Sequence, residues 1–202
     1  MATRMPTTEK GRATRRRILQ AASGLVAERG VAAVSLEDVE RAAGVGRSQL
    51  YHYFDGRDDL LRAVVDTTTD AVLGAQDGLL DDLGSLEAIG RWFDGLVALQ
   101  EERGAAGGCP IGSLVGQLAE RDDDTRGALA SGFERWEQPL IAGLTAMQER
   151  GELRADASVQ ALADTTMAAI QGGLLLTQVR RDPGQLRCAL DGARAILASA
   201  AA

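Results

Sequence analysis

Ser35-Leu36-Glu37-Asp38-Val39-Glu40-Arg41-Ala42-Ala43-Gly44-Val45-Gly46-Arg47-Ser48-Gln49-Leu50-Tyr51-His52-Tyr53-Phe54 is the stretch on which the fold turns. Ser35 precedes Leu36, Val39 and Ala43 at helical spacing, and Asp38 follows it by three residues, so a short helix begins there with a capping-box-like start. Gly44-Val45-Gly46 stops that helix, and Arg47 to Phe54 forms a second. Asp55-Gly56-Arg57 breaks the chain again before Leu60, Leu61, Val64 and Val65 open a longer helix. Two short helices about a glycine turn, the second with polar and aromatic residues on its free face, make a helix-turn-helix pattern, whose second helix enters the DNA major groove.

Toward the N-terminus, Ile18, Ala21, Ala22, Leu25 and Val26 form an amphipathic stripe from Thr14 that ends at Gly30. Ahead of it the chain is basic: Arg4, Lys10, Arg12, Arg15, Arg16 and Arg17 face only Glu9. Residues 1–12 therefore read as a flexible arm suited to phosphates, against the plain alternative of a solvated tail. The net charge of −7 hides this polarity. Residues 1–62 hold 11 of the 22 Lys and Arg but only 8 of the 29 Asp and Glu, so the remainder is strongly acidic.

Over some 48 residues these features resemble the tetracycline-repressor (TetR) family of regulators. The pattern is carried by Thr14-Arg15, Ile18-Leu19, Ala21-Ala22, Gly30, Ser35, Ala43-Gly44-Val45, Leu50-Tyr51-His52-Tyr53-Phe54, Arg57 and Leu60-Leu61. Two positions depart from it: Gly46 stands where the family usually has Ser, and Ser48 replaces a frequent Gly. The resemblance implies an all-α protein with an N-terminal three-helix DNA-binding domain at 13–56. It further implies a larger helical domain at 57–202 for effector binding and dimerisation, about nine helices in all.

Within the second short helix, Arg47 has the fork to reach guanine O6 and N7, and Gln49 the amide to pair with adenine N6 and N7. Ser48, Tyr51, His52 and Tyr53 carry hydroxyl or ring N–H groups suited to phosphates. Leu50 and Phe54 read as core. The resemblance implies that Arg57 contacts phosphate, and it adds Arg15 and Ser35 to the DNA-facing set.

Beyond Arg62 the expected helices are Asp58 to Asp82, Ser85 to Arg103, Cys109-Pro110 to Arg121, Asp122 or Asp124 to Gly151, Ser158 to Arg180 and Pro183 to Ala200. The last two are apolar over too much of their circumference for solvent. Either they are buried inside one chain, or they pair with a second copy in a four-helix bundle. A homodimer is the expectation, with Leu162, Ile170, Leu174, Leu175, Leu186, Leu190, Ala193 and Leu197 in its seam. Two recognition helices then match a palindromic double-stranded operator.

The resemblance puts an effector pocket among the middle helices, where Trp92, Phe93, Cys109, Gln117, Phe133, Trp136, Met147 and Gln171 have suitable chemistry; plain core packing is the competing reading for the apolar ones. With few Lys or Arg in this half to clamp phosphates, a neutral or cationic lipophilic small molecule is expected, with Asp94, Glu134 or Glu137 as counter-charge. One alternative is a redox or electrophile sensor acting through Cys109. Another, of a different class, is a helical adaptor without DNA function.

One His and two Cys, Cys109 and Cys188, supply neither a four-ligand zinc site nor a His-based triad. No metal, cofactor or enzymatic activity is therefore expected. No apolar run approaches the roughly 18 residues that span a bilayer, and the N-terminal stretch lacks the apolar core of a secretory signal. A cytoplasmic protein with reduced thiols and no membrane partner is the expectation.

Overall fold

Thr8 opens the first helix: its hydroxyl accepts from the Gly11 backbone N–H at 3.1 Å, and α1 runs Glu9–Arg29. That is earlier than the apolar stripe indicates, because a cap and an acidic first turn start a helix before any residue needs burying. Lys10 and Arg12 thus stand on a helix rather than on an arm. The computed structural model describes residues 6–202, and residues 1–5 of the expected arm, with Arg4, lie outside the described residues.

A 3-10 turn at Val31–Ala33 leads to α2 (Leu36–Ala43), α3 (Arg47–Tyr53) and α4 (Arg57–Gly74). The capping box of α2 is complete: Ser35 Oγ accepts from Asp38 N at 3.2 Å and the Asp38 carboxylate accepts from Ser35 N at 3.1 Å. Gly44 ends α2 at φ 61, a left-handed conformation that costs glycine little. Helix α4 stops well short of the expected Asp82. The chain instead tightens into turns, Gln76 N donating to Leu73 O at 2.9 Å and Asp77 N to Gly74 O at 3.2 Å.

Five further helices follow: α5 (Leu86–Glu102), α6 (Pro110–Leu118), α7 (Asp123–Glu149), α8 (Val159–Arg180) and α9 (Gly184–Ser199). Ser85 and Ser158 cap α5 and α8 through their hydroxyls. Among the described residues the protein is all-α, with nine α-helices and a single isolated bridge, Leu153 to Ala201.

The chain divides into two compact units, residues 1–71 with 113–132 and residues 72–112 with 133–202. This differs from the expected boundary after residue 56. In the first unit the start of α4 is core: Leu60, Leu61 and Val64 pack about the same gap as Ala22, Val26 and Val39. Ile18, Leu50 and Phe54 are sealed beside them. Each such side chain contributes roughly 1.5–3 kcal/mol by leaving water.

The second unit is built on the extensive pairing of α8 with α9. Gly173 lets them close, since a Cβ there would meet Leu186 Cδ1 at 2.8 Å. Ion pairs Arg187–Glu101 and Arg194–Asp94 tie α9 to α5.

Candidate nucleic-acid interface and ligand cavity

Helix α3 has a buried side and a free one. Leu50 is sealed and Phe54 beside it, while Arg47, Ser48, Gln49, Tyr51 and His52 are exposed together. The Arg47 guanidinium lies over the Tyr51 ring, 5.9 Å from its centroid, which holds both at the free surface. Tyr53 goes the other way. It is buried, with its hydroxyl close to Gly11, so the polar face of α3 is narrower than the sequence suggests.

Three expected DNA-facing residues are engaged inside the first unit. Arg57 donates to Val31 O at 2.6 Å and to Val34 O at 3.3 Å, holding the 3-10 turn against the start of α4. Ser35 is taken up in the α2 cap, its hydroxyl donating to Asp38. The half-buried Arg15 guanidinium lies over Phe54 at 5.4 Å. Arg17, which the sequence reading placed only in a basic run, donates to Ala43 O at 2.8 Å and fastens α1 to the end of α2. Charge density alone does not separate such a tether from a solvated cation.

In the second unit a cavity of about 30 Å³ opens among α5, α7, α8 and the start of α6. Its wall is apolar at Val72, Leu96, Leu99, Trp136 and Leu174, with Gln76, Gln100, Arg103 and Cys109 as its polar groups. Gln76 Oε1 accepts from both indoles of the chain, Trp92 Nε1 at 2.8 Å and Trp136 Nε1 at 3.1 Å.

Of the expected effector residues, Cys109 and Trp136 line this cavity, and Trp92 reaches it through Gln76. Gln171 stands close to Cys109, and its Nε2 is buried without a partner. Phe133 stacks on Trp136 at 6.5 Å. Phe93 is sealed beneath the Arg194 guanidinium, and Met147 is core elsewhere. Gln117 belongs to the first unit, where its Oε1 accepts from Val31 N at 2.7 Å. The candidate counter-charges are absent from the wall: Asp94 is paired with Arg194, and Glu134 and Glu137 lie outside the lining. The sequence reading missed Gln76, Gln100 and Arg103. For Gln100 the signal was present, a polar residue on the apolar Leu96-Leu99 face of α5.

Cys109 precedes α6 and its Sγ accepts from Gly112 N at 3.3 Å. Burial nonetheless pushes the thiol above its ordinary pKa, outweighing the Gly112 and Ile111 N–H groups, Gln171 and Arg103. The group is a neutral thiol at pH 7.

The expected seam residues also separate. Ile170, Leu174, Leu186, Leu190, Ala193 and Leu197 are buried within one chain. Leu162 is half-buried, whereas Leu175 is 60% exposed and is joined at the surface by Leu176, Val179 and Ile196. Among the described residues no group of three or more His, Cys, Asp or Glu is placed to hold a metal ion, and no helix is long and apolar enough to cross a membrane.

Comparison with known proteins covers both units. Residues 18–64 match the family described as bacterial regulatory proteins, tetR family, and residues 85–193 match the tetracyclin repressor-like C-terminal domain. An uncharacterized HTH-type transcriptional regulator in the lacX 3' region of Lactococcus lactis subsp. lactis is 28% identical over 185 residues, covering 89% of this chain and 91% of that one. The HTH-type transcriptional repressor DhaR of Mycobacterium sp. is 25% identical over 168 residues, covering 83% and 84%. A solved TetR transcriptional regulator from Chloroflexus aurantiacus shares the fold with a TM-score of 0.80 at 20% identity, over 96% of this chain and 98% of that one.

Proposed function

The chain belongs to the TetR family of helix-turn-helix transcriptional regulators, and from that premise we propose that it is a homodimeric repressor released from a palindromic operator by a small molecule. The observation that carries this reading is the free face of α3, where Arg47, Ser48, Gln49, Tyr51 and His52 are held exposed by a buried Leu50. Arg47 and Gln49 read base edges, and Ser48, Tyr51 and His52 hold phosphates. Arg15, Ser35, Tyr53 and Arg57 set the frame that aims α3. The Mycobacterium relative DhaR is named a transcriptional repressor, which supports repression over activation.

A second copy docks on the outer sides of α8 and α9, where Leu175, Leu176, Val179 and Ile196 leave apolar surface in water. Gly172, exposed in mid-helix with nothing within 4 Å of a Cβ placed there, admits a close neighbour on that face. Sensing by Cys109 has no such support, because the reactive species is the thiolate and burial opposes it. An adaptor role leaves the polar face of α3 without a use.

The test is a mobility-shift titration of DNA from the protein's own promoter region at several salt concentrations. Affinity should fall linearly in log–log form as salt rises, by about one unit of slope per phosphate neutralised. Absence of salt-dependent binding to any such fragment would remove the repressor.

A further inference from the structure

Gln100 lines the cavity of the second unit and is only 3% exposed, yet its Oε1 has no hydrogen-bond partner. Buried amide atoms are nearly always satisfied, so an unpaired one on a cavity wall marks a place prepared for a polar group from outside the chain. Three residues further on, just past the end of α5, stands Arg103, exposed at the cavity rim and without an ion-pair partner among the described residues.

The remaining surroundings set the sign of the charge. No acidic side chain lines the cavity among the described residues. The start of α6 offers few free donors, because Pro110 has no N–H and Cys109 Sγ accepts from Gly112 N. The carbonyls that close α5 are occupied as well, since Leu99 O, Gln100 O and Glu101 O accept from the N–H groups of Arg103, Ala105 and Gly104. An amine entering here would meet Arg103 with nothing to neutralise it.

Resting on the proposal of a small-molecule effector, we infer that the ligand of this cavity is a short-chain monocarboxylic acid. Its carboxylate bridges the Arg103 guanidinium and the Gln100 amide, which turns to present Nε2. Its hydrocarbon body lies against Leu96, Leu99, Trp136 and Leu174. Charge-assisted hydrogen bonds from a guanidinium to a carboxylate are the strongest contacts such a site offers. The expectation of a neutral or cationic effector with an acidic counter-charge is replaced by the opposite polarity.

The two tryptophans of the chain supply the readout, because Trp136 lines the cavity and both indoles donate to Gln76 in its wall. Intrinsic fluorescence of the full-length protein is titrated with sodium butyrate, butyramide and butylamine. Butyrate should give a saturable change at least tenfold tighter than either analogue. Arg103→Gln should lose that preference with its melting temperature unchanged, since Arg103 is exposed and unpaired. Gln100→Leu should weaken butyrate while keeping the cavity filled and the chain folded. Butyramide or butylamine binding as tightly as butyrate, an Arg103→Gln response equal to wild type, or no response to butyrate overturns the acid. These titrations contain no DNA, so their outcome is separate from that of the promoter shift. Binding of an analogue instead of butyrate would keep an effector cavity and discard only its proposed ligand class.

Discussion

Helices α3 and α8 each hold one face against their unit and leave the other in water, but the two free faces differ in kind. On α3 the exposed side chains are Arg47, Ser48, Gln49, Tyr51 and His52, all able to donate hydrogen bonds. Toward the end of α8 they include Leu175, Leu176 and Val179, the last 73% exposed, which have only area to offer. A polar free face is stable alone and gains from a highly charged, hydrated partner such as a phosphate backbone. An apolar free face is penalised by water until a similar surface covers it. One helix therefore suits a transient partner and the other a lasting one.

The largest effects come from placing a carboxylate on either side of the α8–α9 pair. Leu190 is 1% exposed, so Leu190→Asp should cost several kcal/mol and abolish folding. Leu175→Asp falls on the free face and should leave the unfolding free energy of the isolated chain within about 0.5 kcal/mol of wild type. It should nevertheless split the dimer and, by removing the second half-site, weaken operator binding about 100-fold or more. Sedimentation and operator titration of the two variants check this. A Leu175→Asp protein that stays dimeric at full affinity would put the seam elsewhere.

Adjacent glycines refine the same contrast. A Cβ at Gly173 would lie 3.0 Å from Leu186 Cα and 3.1 Å from Ala189 Cβ. Gly173→Ala should therefore force α8 and α9 apart at about 1–3 kcal/mol. Gly172→Ala meets nothing within the chain and should stabilise the helix by roughly 0.5–1 kcal/mol in the monomer, while weakening the dimer that needs a close approach there. Chemical denaturation read beside the dimer dissociation constant separates the two. Equal behaviour of both variants would erase the distinction between inner and outer face.

On α3, Arg47→Ala and Gln49→Ala should each cost about 1–3 kcal/mol on the preferred operator and relax selectivity at particular base pairs. Binding to a set of single-base operator variants measures it. A loss uniform across every sequence would move these residues to the phosphates.

The short helices were legible because their information is local. A cap at Ser35, a left-handed glycine at Gly44 and the spacing of Val39, Leu50 and Phe54 act within a few residues of themselves, so the sequence order displays them. What could not be read is decided by distant partners. Arg57 looks like any exposed cation until the carbonyls of Val31 and Val34 are brought to it. Leu174 and Leu175 are the same residue type in adjacent positions, and only the placement of α9 and the cavity buries one and exposes the other. Gln117 and Gln171 show the same limit, as equal amides on middle helices that end in different units.

The smallest effect falls on the local device that starts α2. Ser35→Ala removes the hydroxyl that caps Asp38 N and should cost about 1 kcal/mol. That hydroxyl, more than the Ser35 backbone N–H, holds the Asp38 carboxyl below its ordinary pKa. A depressed carboxyl stabilises the fold at pH values above its ordinary range and loses that contribution as pH falls through the lowered value. Wild type should therefore lose more of its advantage than Ser35→Ala as pH drops from 7 to about 3, and the gap between their melting temperatures should narrow. Acid should leave the α8–α9 core, whose contacts are apolar, unaffected by this particular substitution. Melts of the two proteins at both pH values, followed by amide exchange in α2 and α8, decide it. A gap that stays constant would mean that the cap works through the hydroxyl alone and that the charge on Asp38 adds nothing to the start of the helix.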